Sequence, residues 1–127
     1  MAKTGDNSKK ALIAALNGAL ADHLALYVKT KNFHWHVAGS RFRDLHLLFD
    51  EQAQQILSVV DGIAERVRKN DADTLTSIGA IAKTTQIADE DSTTLEADRM
   101  VEQLRDDNAK LVARLLGAAQ QPETCFT

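Results

Sequence analysis

The chain has 127 residues, enough for one domain with a hydrophobic core, and its formal net charge is −3. Its single cysteine, Cys125, excludes an internal disulfide and a zinc site built from cysteines. We expect no membrane-spanning segment and no secretory leader, because the first ten residues are polar and no apolar run looks long enough to cross a bilayer. The cytoplasm is the expected compartment. Abundant alanine and leucine, with a single proline, favour an all-α fold.

Residues 8–36 have the periodicity of a long first helix, and one face carries Leu12, Leu16, Leu20, Leu24 and Tyr27 or Val28. The segment 37–40 interrupts this pattern, and its glycine can adopt the positive φ that a sharp reversal needs. We expect residues 1–8 to form a flexible polar tail. Residues 120–127 lack helical periodicity and contain Pro122, which predicts an irregular tail.

Residues 41–68 predict a second long helix, with an apolar stripe of Phe49, Ala53, Ile56, Val60, Ile63 and Val67. A polar seam runs beside this stripe. At roughly 100° per residue, Asp50, Asp61 and Glu65 all fall within about 100° of His46 around the helix. In an antiparallel hairpin folded about residue 40, His34 and His46 are equidistant from the turn, so we expect them to face each other.

These polar residues form two groups that one chain cannot bring to a single metal ion. Asp61 and Glu65 lie about 15 residues beyond His46 and Asp50, which is roughly 22 Å along a helix. An antiparallel second copy, with its two-fold axis near residues 55 and 56, would place each acidic pair opposite the histidine side of the other copy. Such a mixture of imidazole and carboxylate ligands suits iron, manganese or zinc.

The alternative is a solvated helix face, because acidic residues at i and i+4, such as Asp61 and Glu65, usually mark one. The agreement of five residues with one dimer geometry favours the metal site. The candidate ligands, which are also the candidate catalytic residues, are His34, His46, Asp50, Asp61 and Glu65.

A long connection follows the second helix, which we expect to close at residues 70–74. Residues 77–83 predict a short helix within the connection, and a capping box at residues 93–96 predicts the start of a third long helix. The apolar face of that helix carries Ala97, Val101, Leu104, Leu111 and Leu115. A crossover this long permits the second and third long helices to run parallel.

Two motifs give the chain a family resemblance. They read Lys31-Asn32-Phe33-His34-Trp35-His36-Val37 and Phe42-Arg43-Asp44-Leu45-His46-Leu47-Leu48-Phe49-Asp50-Glu51. This pattern resembles the signature of the Dps proteins, the mini-ferritins of bacteria and archaea, and the likeness runs over residues 12–115. It implies a ferritin-like helical bundle, with residues 1–127 as one Dps-type domain, assembled from two-fold dimers into a dodecamer.

The resemblance also implies an activity. Dps proteins are ferroxidases that oxidise Fe(II), preferably with hydrogen peroxide and otherwise with dioxygen, and store ferric mineral inside the shell, which protects the cell from oxidative damage. It implies that His34, His46 and Asp50 bind iron from one subunit, and that Asp61 and Glu65 bind it from the two-fold mate. Trp35 matches a tryptophan next to the site, where it is either a packed aromatic residue or an electronic participant.

The sequence departs from the family at its end, because the fourth helix of the bundle has no counterpart. We expect bare apolar surface on the first and third long helices as a result. Two alternative functions therefore stay open. One is a DNA-compacting structural protein with a secondary metal site, using a basic tail of Lys3, Lys9 and Lys10, although a solvated tail is the simpler interpretation. The other is a truncated metal-binding fragment that cannot assemble.

Overall fold

The computed structural model describes the backbone of residues 4–119 and the side chains of residues 7–117. This described part contains helices and no strands, which confirms the all-α prediction. The helices are α1 (Thr4–His36), α2 (Phe42–Ser58), α3 (Val60–Lys69), α4 (Ile78–Thr84) and α5 (Ala97–Ala119). The predicted irregular tail at residues 120–127 lies outside the described residues.

Helices α1 and α2 form the predicted antiparallel hairpin. Gly39 at the reversal has φ +102°, and its carbonyl accepts a hydrogen bond of 3.1 Å from the Phe42 amide. Helix α1 starts earlier than the periodicity suggests, so the polar tail expected at residues 1–8 is helical from Thr4 onward. Lys9 and Lys10 consequently lie on a helix, whereas Lys3 lies outside the described residues.

We expect Gly39→Ala to lower the free energy of unfolding by about 1–2 kcal/mol, because an L-residue pays that much for a left-handed conformation. No atom lies within 4 Å of the position that an added Cβ would occupy, so the cost is backbone strain alone. Gly62→Ala is the matched control: Gly62 is helical and equally open, and alanine there should stabilise by about 0.5–1 kcal/mol. Urea denaturation of both variants measures this, and equal shifts would contradict the assigned strain.

The second long helix is interrupted at Val59, which corrects the prediction of one continuous helix over residues 41–68. The Ser58 hydroxyl donates a hydrogen bond of 2.6 Å to the Gln55 carbonyl, the acceptor that the Val59 amide would use in an α-helix. Two consecutive β-branched residues, Val59 and Val60, also lower helix propensity. The predicted apolar stripe nevertheless faces inward on both sides of the interruption, with Phe49, Ala53, Ile56 and Val67 buried.

Helix α5 packs antiparallel to α1, as two ion pairs between these helices show. Lys29 lies 2.7 Å from Asp107, and Asp22 lies 3.2 Å from Arg114, so the chain numbers run in opposite directions along the contact. Since α2 is also antiparallel to α1, α2 and α5 run parallel, which confirms that prediction. The core between the three helices contains Leu26, Phe33, Leu45, Phe49, Ile56, Met100, Leu104 and Leu111.

The connection between α3 and α5 carries the predicted short helix, α4, and Ser77 caps it by accepting a hydrogen bond from the Ala80 amide. The capping box predicted at residues 93–96 does not start α5, however. Helix α5 begins at Ala97, and the carbonyl that accepts its first amides, from Arg99 and Met100, belongs to Glu96. The preceding residues form their own turns instead, because the Thr94 amide donates to the Ser92 hydroxyl.

By length and composition alone, helix α1 is long and apolar enough to cross a membrane. This corrects the expectation that the chain has no segment of that length and apolarity. Half of its most apolar stretch is buried inside the bundle. The helix also carries two buried charges, Asp22 and Lys29, that pair with α5. Its apolar character is therefore accounted for by packing as the central helix of the bundle.

Candidate metal centre

His34 and His46 face each other across the α1–α2 hairpin, as the sequence predicted. Their rings stack with centroids 4.0 Å apart and an angle of 19° between the planes. The Phe42 ring stacks on the other side of His46 at 5.0 Å. The end of α1 and the start of α2 thus hold both imidazoles in fixed orientations.

A reciprocal pair of hydrogen bonds fixes the tautomer of both histidines. His34 Nδ1 lies 2.6 Å from the His46 carbonyl oxygen, and His46 Nδ1 lies 2.7 Å from the His34 carbonyl oxygen. Because a carbonyl can only accept, each Nδ1 must carry the proton and donate. In the neutral rings each Nε2 then keeps its lone pair, which is the state in which imidazole binds a metal ion.

Asp50 supplies a carboxylate beside one of these nitrogens, with Oδ1 3.9 Å from His34 Nε2. The same oxygen accepts a hydrogen bond of 2.8 Å from Lys31 Nζ. This hydrogen bond, opposed by partial desolvation and assisted by the positive charge of Lys31, holds the pKa of Asp50 below its usual value. Asp50 is therefore ionised at neutral pH, but its Oδ1 already accepts a hydrogen bond from the ammonium of Lys31.

Asp61 and Glu65 lie on α3, exposed to solvent, away from the histidine pair. Among the described side chains, no group of three histidine, cysteine or acidic residues is arranged to hold a metal ion. The structure of one chain nevertheless brings His34, His46 and Asp50 into one region and leaves the acidic pair apart. Sharing of the site between two copies remains a prediction.

Lys31 and Phe42 also contact this region, and no role was predicted for either from the sequence. Lys31 precedes His34 by three positions and Phe42 precedes His46 by four, so each pair shares a helix face. Trp35 does not have the simpler of its two expected roles, that of a packed aromatic residue, in the single chain. Its surface is 61% exposed, and Lys31 Nζ lies 5.8 Å from its ring centroid.

Comparison with known proteins identifies the family to which the chain belongs. A ferritin-like domain model matches residues 13–123. An uncharacterised low temperature-induced protein of Nostoc sp. is 34% identical over 110 residues, which is 87% of this chain and 62% of the relative. A DNA protection during starvation protein of Halobacterium salinarum is 46% identical over 56 residues, covering 44% of this chain and 31% of the relative.

A solved structure of a Dps protein from Bacillus brevis superposes with a TM-score of 0.83 at 30% identity, covering 92% of this chain and 76% of that one. The chain therefore spans about three fifths of the Nostoc relative (62%) and about three quarters of this structure. The domain match covers most of the sequence, and relatives named as Dps share both its sequence and its fold, so the chain belongs to the Dps family of ferritin-like proteins.

Proposed function

We propose that this protein is a cytoplasmic ferroxidase that oxidises Fe(II) and stores the ferric product within a homo-oligomer, a dodecamer by analogy with its family. The observation that carries the proposal is the reciprocal hydrogen bonding of His34 and His46. It prepares two imidazoles for metal binding next to the ionised carboxylate of Asp50. His23 and His36 also place Nδ1 against a backbone carbonyl. What distinguishes His34 and His46 is that they bond reciprocally and stack on each other, with Asp50 beside His34.

The proposed site is completed by a second copy of the chain. His34, His46 and Asp50 would bind Fe(II) from one subunit, and Asp61 and Glu65 of the partner subunit would bind it from the other side. Carboxylates neutralise the charge of the ion, while the histidines, held by their Nδ1 hydrogen bonds, fix its position. This division explains why the acidic pair is exposed in the isolated chain.

The proposed reaction is a two-electron reduction of hydrogen peroxide by two Fe(II) ions. Each iron loses one electron, the O–O bond breaks, and two hydroxide ions and two Fe(III) ions result. Because both electrons are delivered together, no hydroxyl radical is released, and the Fe(III) then hydrolyses and is stored as mineral. The protein binds the ions and provides carboxylates along their path.

A stoichiometric pulse of peroxide added to anaerobic protein and Fe(II) tests this function. We expect a ferric absorbance rise faster than in buffer, and its loss in His34→Gly. His36→Gly is the matched control, because His36 lies on the same helix, is exposed, and within the described residues hydrogen-bonds to Asn32. A rise no faster than buffer in the assembled wild-type protein would show that the proposal is wrong.

Replacement of Lys31 should strengthen metal binding. In Lys31→Met the Asp50 carboxylate loses its 2.8 Å ammonium partner and is free to bind a cation, so we expect Co(II) to bind about threefold more tightly. Near pH 7 the carboxyl is ionised with or without Lys31, because its usual pKa is 3.8 and Lys31 only lowers it. The comparison at that pH therefore isolates competition by the ammonium.

Titration followed by the visible spectrum of Co(II) measures this affinity. Lys83→Met on α4 removes the same charge from an exposed position remote from Asp50 and should leave the affinity unchanged. Weaker binding in Lys31→Met than in Lys83→Met would show that Lys31 orients Asp50 for the metal rather than competing with it.

DNA association is the second candidate function, favoured by the name of the Halobacterium relative. Within the described residues, Lys9 and Lys10 are two adjacent basic side chains near the start of α1. The net charge of −3 opposes tight phosphate binding. A gel-shift assay at physiological salt separates the candidates, because phosphate-driven binding weakens steeply as salt increases.

A further inference from the structure

A cavity of about 270 Å³ lies between the outer face of α1 and the connection that carries α4, on the side of α1 opposite to the histidine pair. Its walls are mainly aliphatic: Leu24, Val28, Ile78, Ile81 and Ile87. Two of these residues stand at the mouth in contact with water, Val28 with 63% and Ile78 with 80% of their surface exposed. Exposed aliphatic area of this kind favours an apolar occupant, because covering it removes apolar surface from water.

The far wall of the cavity is fixed by hydrogen bonds from α1. Lys29 Nζ donates to the Ala88 carbonyl at 2.9 Å, and Asn32 Nδ2 donates to the Glu90 carbonyl at 3.0 Å. Asp22, fully buried on the same helix, accepts from Thr85 and from Gln86. The connection is therefore anchored at several successive points, and the cavity is formed before any ligand arrives.

The charge at the edge of the cavity is negative. Asp89, Glu90 and Asp91 follow one another along its lining, and hydrogen bonds from Gln103 and Ser92 hold the pKa of Glu90 below its usual value. Asp89 and Asp91 are exposed and form no ion pair within the described residues. The one cation in the lining, Lys29, is already neutralised by Asp107 at 2.7 Å.

We propose that this cavity binds a small organic cation, an amine with a compact apolar body. The aliphatic walls would cover the body, and the ammonium would lie at the edge beside Asp89 and Asp91. The volume is just below the usual range for small-molecule sites, which limits the ligand to a small one. A neutral or anionic molecule of the same shape would fit the aliphatic walls but would gain no attraction from the acidic edge. This site is independent of the proposed iron chemistry.

Three probes with one apolar body test the proposal by ligand-observed NMR on the full chain at low salt: hexylammonium, 1-hexanol and hexanoate. We expect hexylammonium to bind about threefold more tightly than hexanol, the effect of an exposed ion pair, and hexanoate to bind weakest. Ala25→Phe, which fills the cavity, should abolish binding of all three. The double variant Asp89→Asn, Asp91→Asn should keep hexanol binding and lose the preference for the amine.

The matched control is Asp44→Asn, Glu51→Gln, which removes the same charge from α2 and should keep the preference. Equal binding of amine and alcohol by the wild type would overturn recognition of a cation. Absence of binding by all three probes would overturn the site itself. If light scattering then shows that Val28→Asp dissociates the oligomer, a second copy of the chain, and not a ligand, covers the cavity.

Discussion

Two inactive variants should regain about a quarter of wild-type ferroxidase activity when they are dissociated, mixed equally and reassembled. The first lacks the histidine side (His34→Gly, His46→Gly, Asp50→Ala) and the second lacks the acidic side (Asp61→Ala, Glu65→Ala). Each variant alone has no complete site, because every two-fold dimer joins a defective half to an intact half. In a mixed dimer, one site combines the two intact halves and works, while the other combines the two defective halves.

The factor of a quarter follows from random pairing, since half of the dimers are mixed and half of their sites are complete. Each variant reassembled with itself is the control and should stay inactive. Mass spectrometry of the intact dimers verifies that mixing took place. If mixed dimers form and activity stays at zero, the site is not shared in the way proposed, whereas a site built within one chain could never be rescued by mixing.

Removal of Lys29 should be the most destabilising single change among the ion pairs. Lys29 Nζ lies 2.7 Å from Asp107 Oδ2, an ion pair rather than an aligned hydrogen bond, and both side chains are only 6% exposed. Lys29→Met leaves the Asp107 carboxylate buried without its counter-charge. We expect this to lower the free energy of unfolding by about 3–5 kcal/mol, measured by urea denaturation.

The double variant Lys29→Met, Asp107→Leu should recover the part of that loss that comes from the unpaired carboxylate, because an apolar pair of similar volume needs no desolvation of charge. It should not recover the hydrogen bond from Lys29 to the Ala88 carbonyl. Arg41→Met is the matched control. Arg41 pairs with Asp98 of α5, but the two side chains are 55% and 83% exposed, so its removal should cost less than about 1 kcal/mol. A loss in Lys29→Met no larger than in Arg41→Met would show that Asp107 finds water or another partner.

The helices and the histidine pair could be predicted from the sequence because each depends on local spacing. The position of Gly39 and the apolar periods on either side fix the hairpin, and the hairpin in turn sets His34 opposite His46. The two consecutive valines lower helix propensity, but the interruption at Val59 could not be predicted from them alone, since it also involves the hydrogen bond from the Ser58 hydroxyl to the Gln55 carbonyl. Helical periodicity carries no information about a hydrogen bond of this kind.

The contact between Lys31 and Asp50 could not be predicted either, for a different reason. Lysine three residues before a histidine is common on solvated helix faces, and only the packing of α1 against α2 brings its ammonium to the carboxylate. The pairs formed by α5 depend in the same way on a helix that follows a long connection. Sequence periodicity indicates which face of α5 is apolar, but not which charged residues of α1 it meets.

The interruption at Val59 divides the second long helix into two segments, α2 and α3, with a joint one residue long between them. The predicted two-fold axis near residues 55 and 56 passes beside this joint, with Asp50 on one segment and Asp61 on the other. In a dimer of that kind, bending at the joint would move the acidic end of each chain toward or away from the histidines of its mate. The distance between the two groups of ligands at each site would then depend on the backbone angle at Val59, a residue that is not itself a candidate ligand.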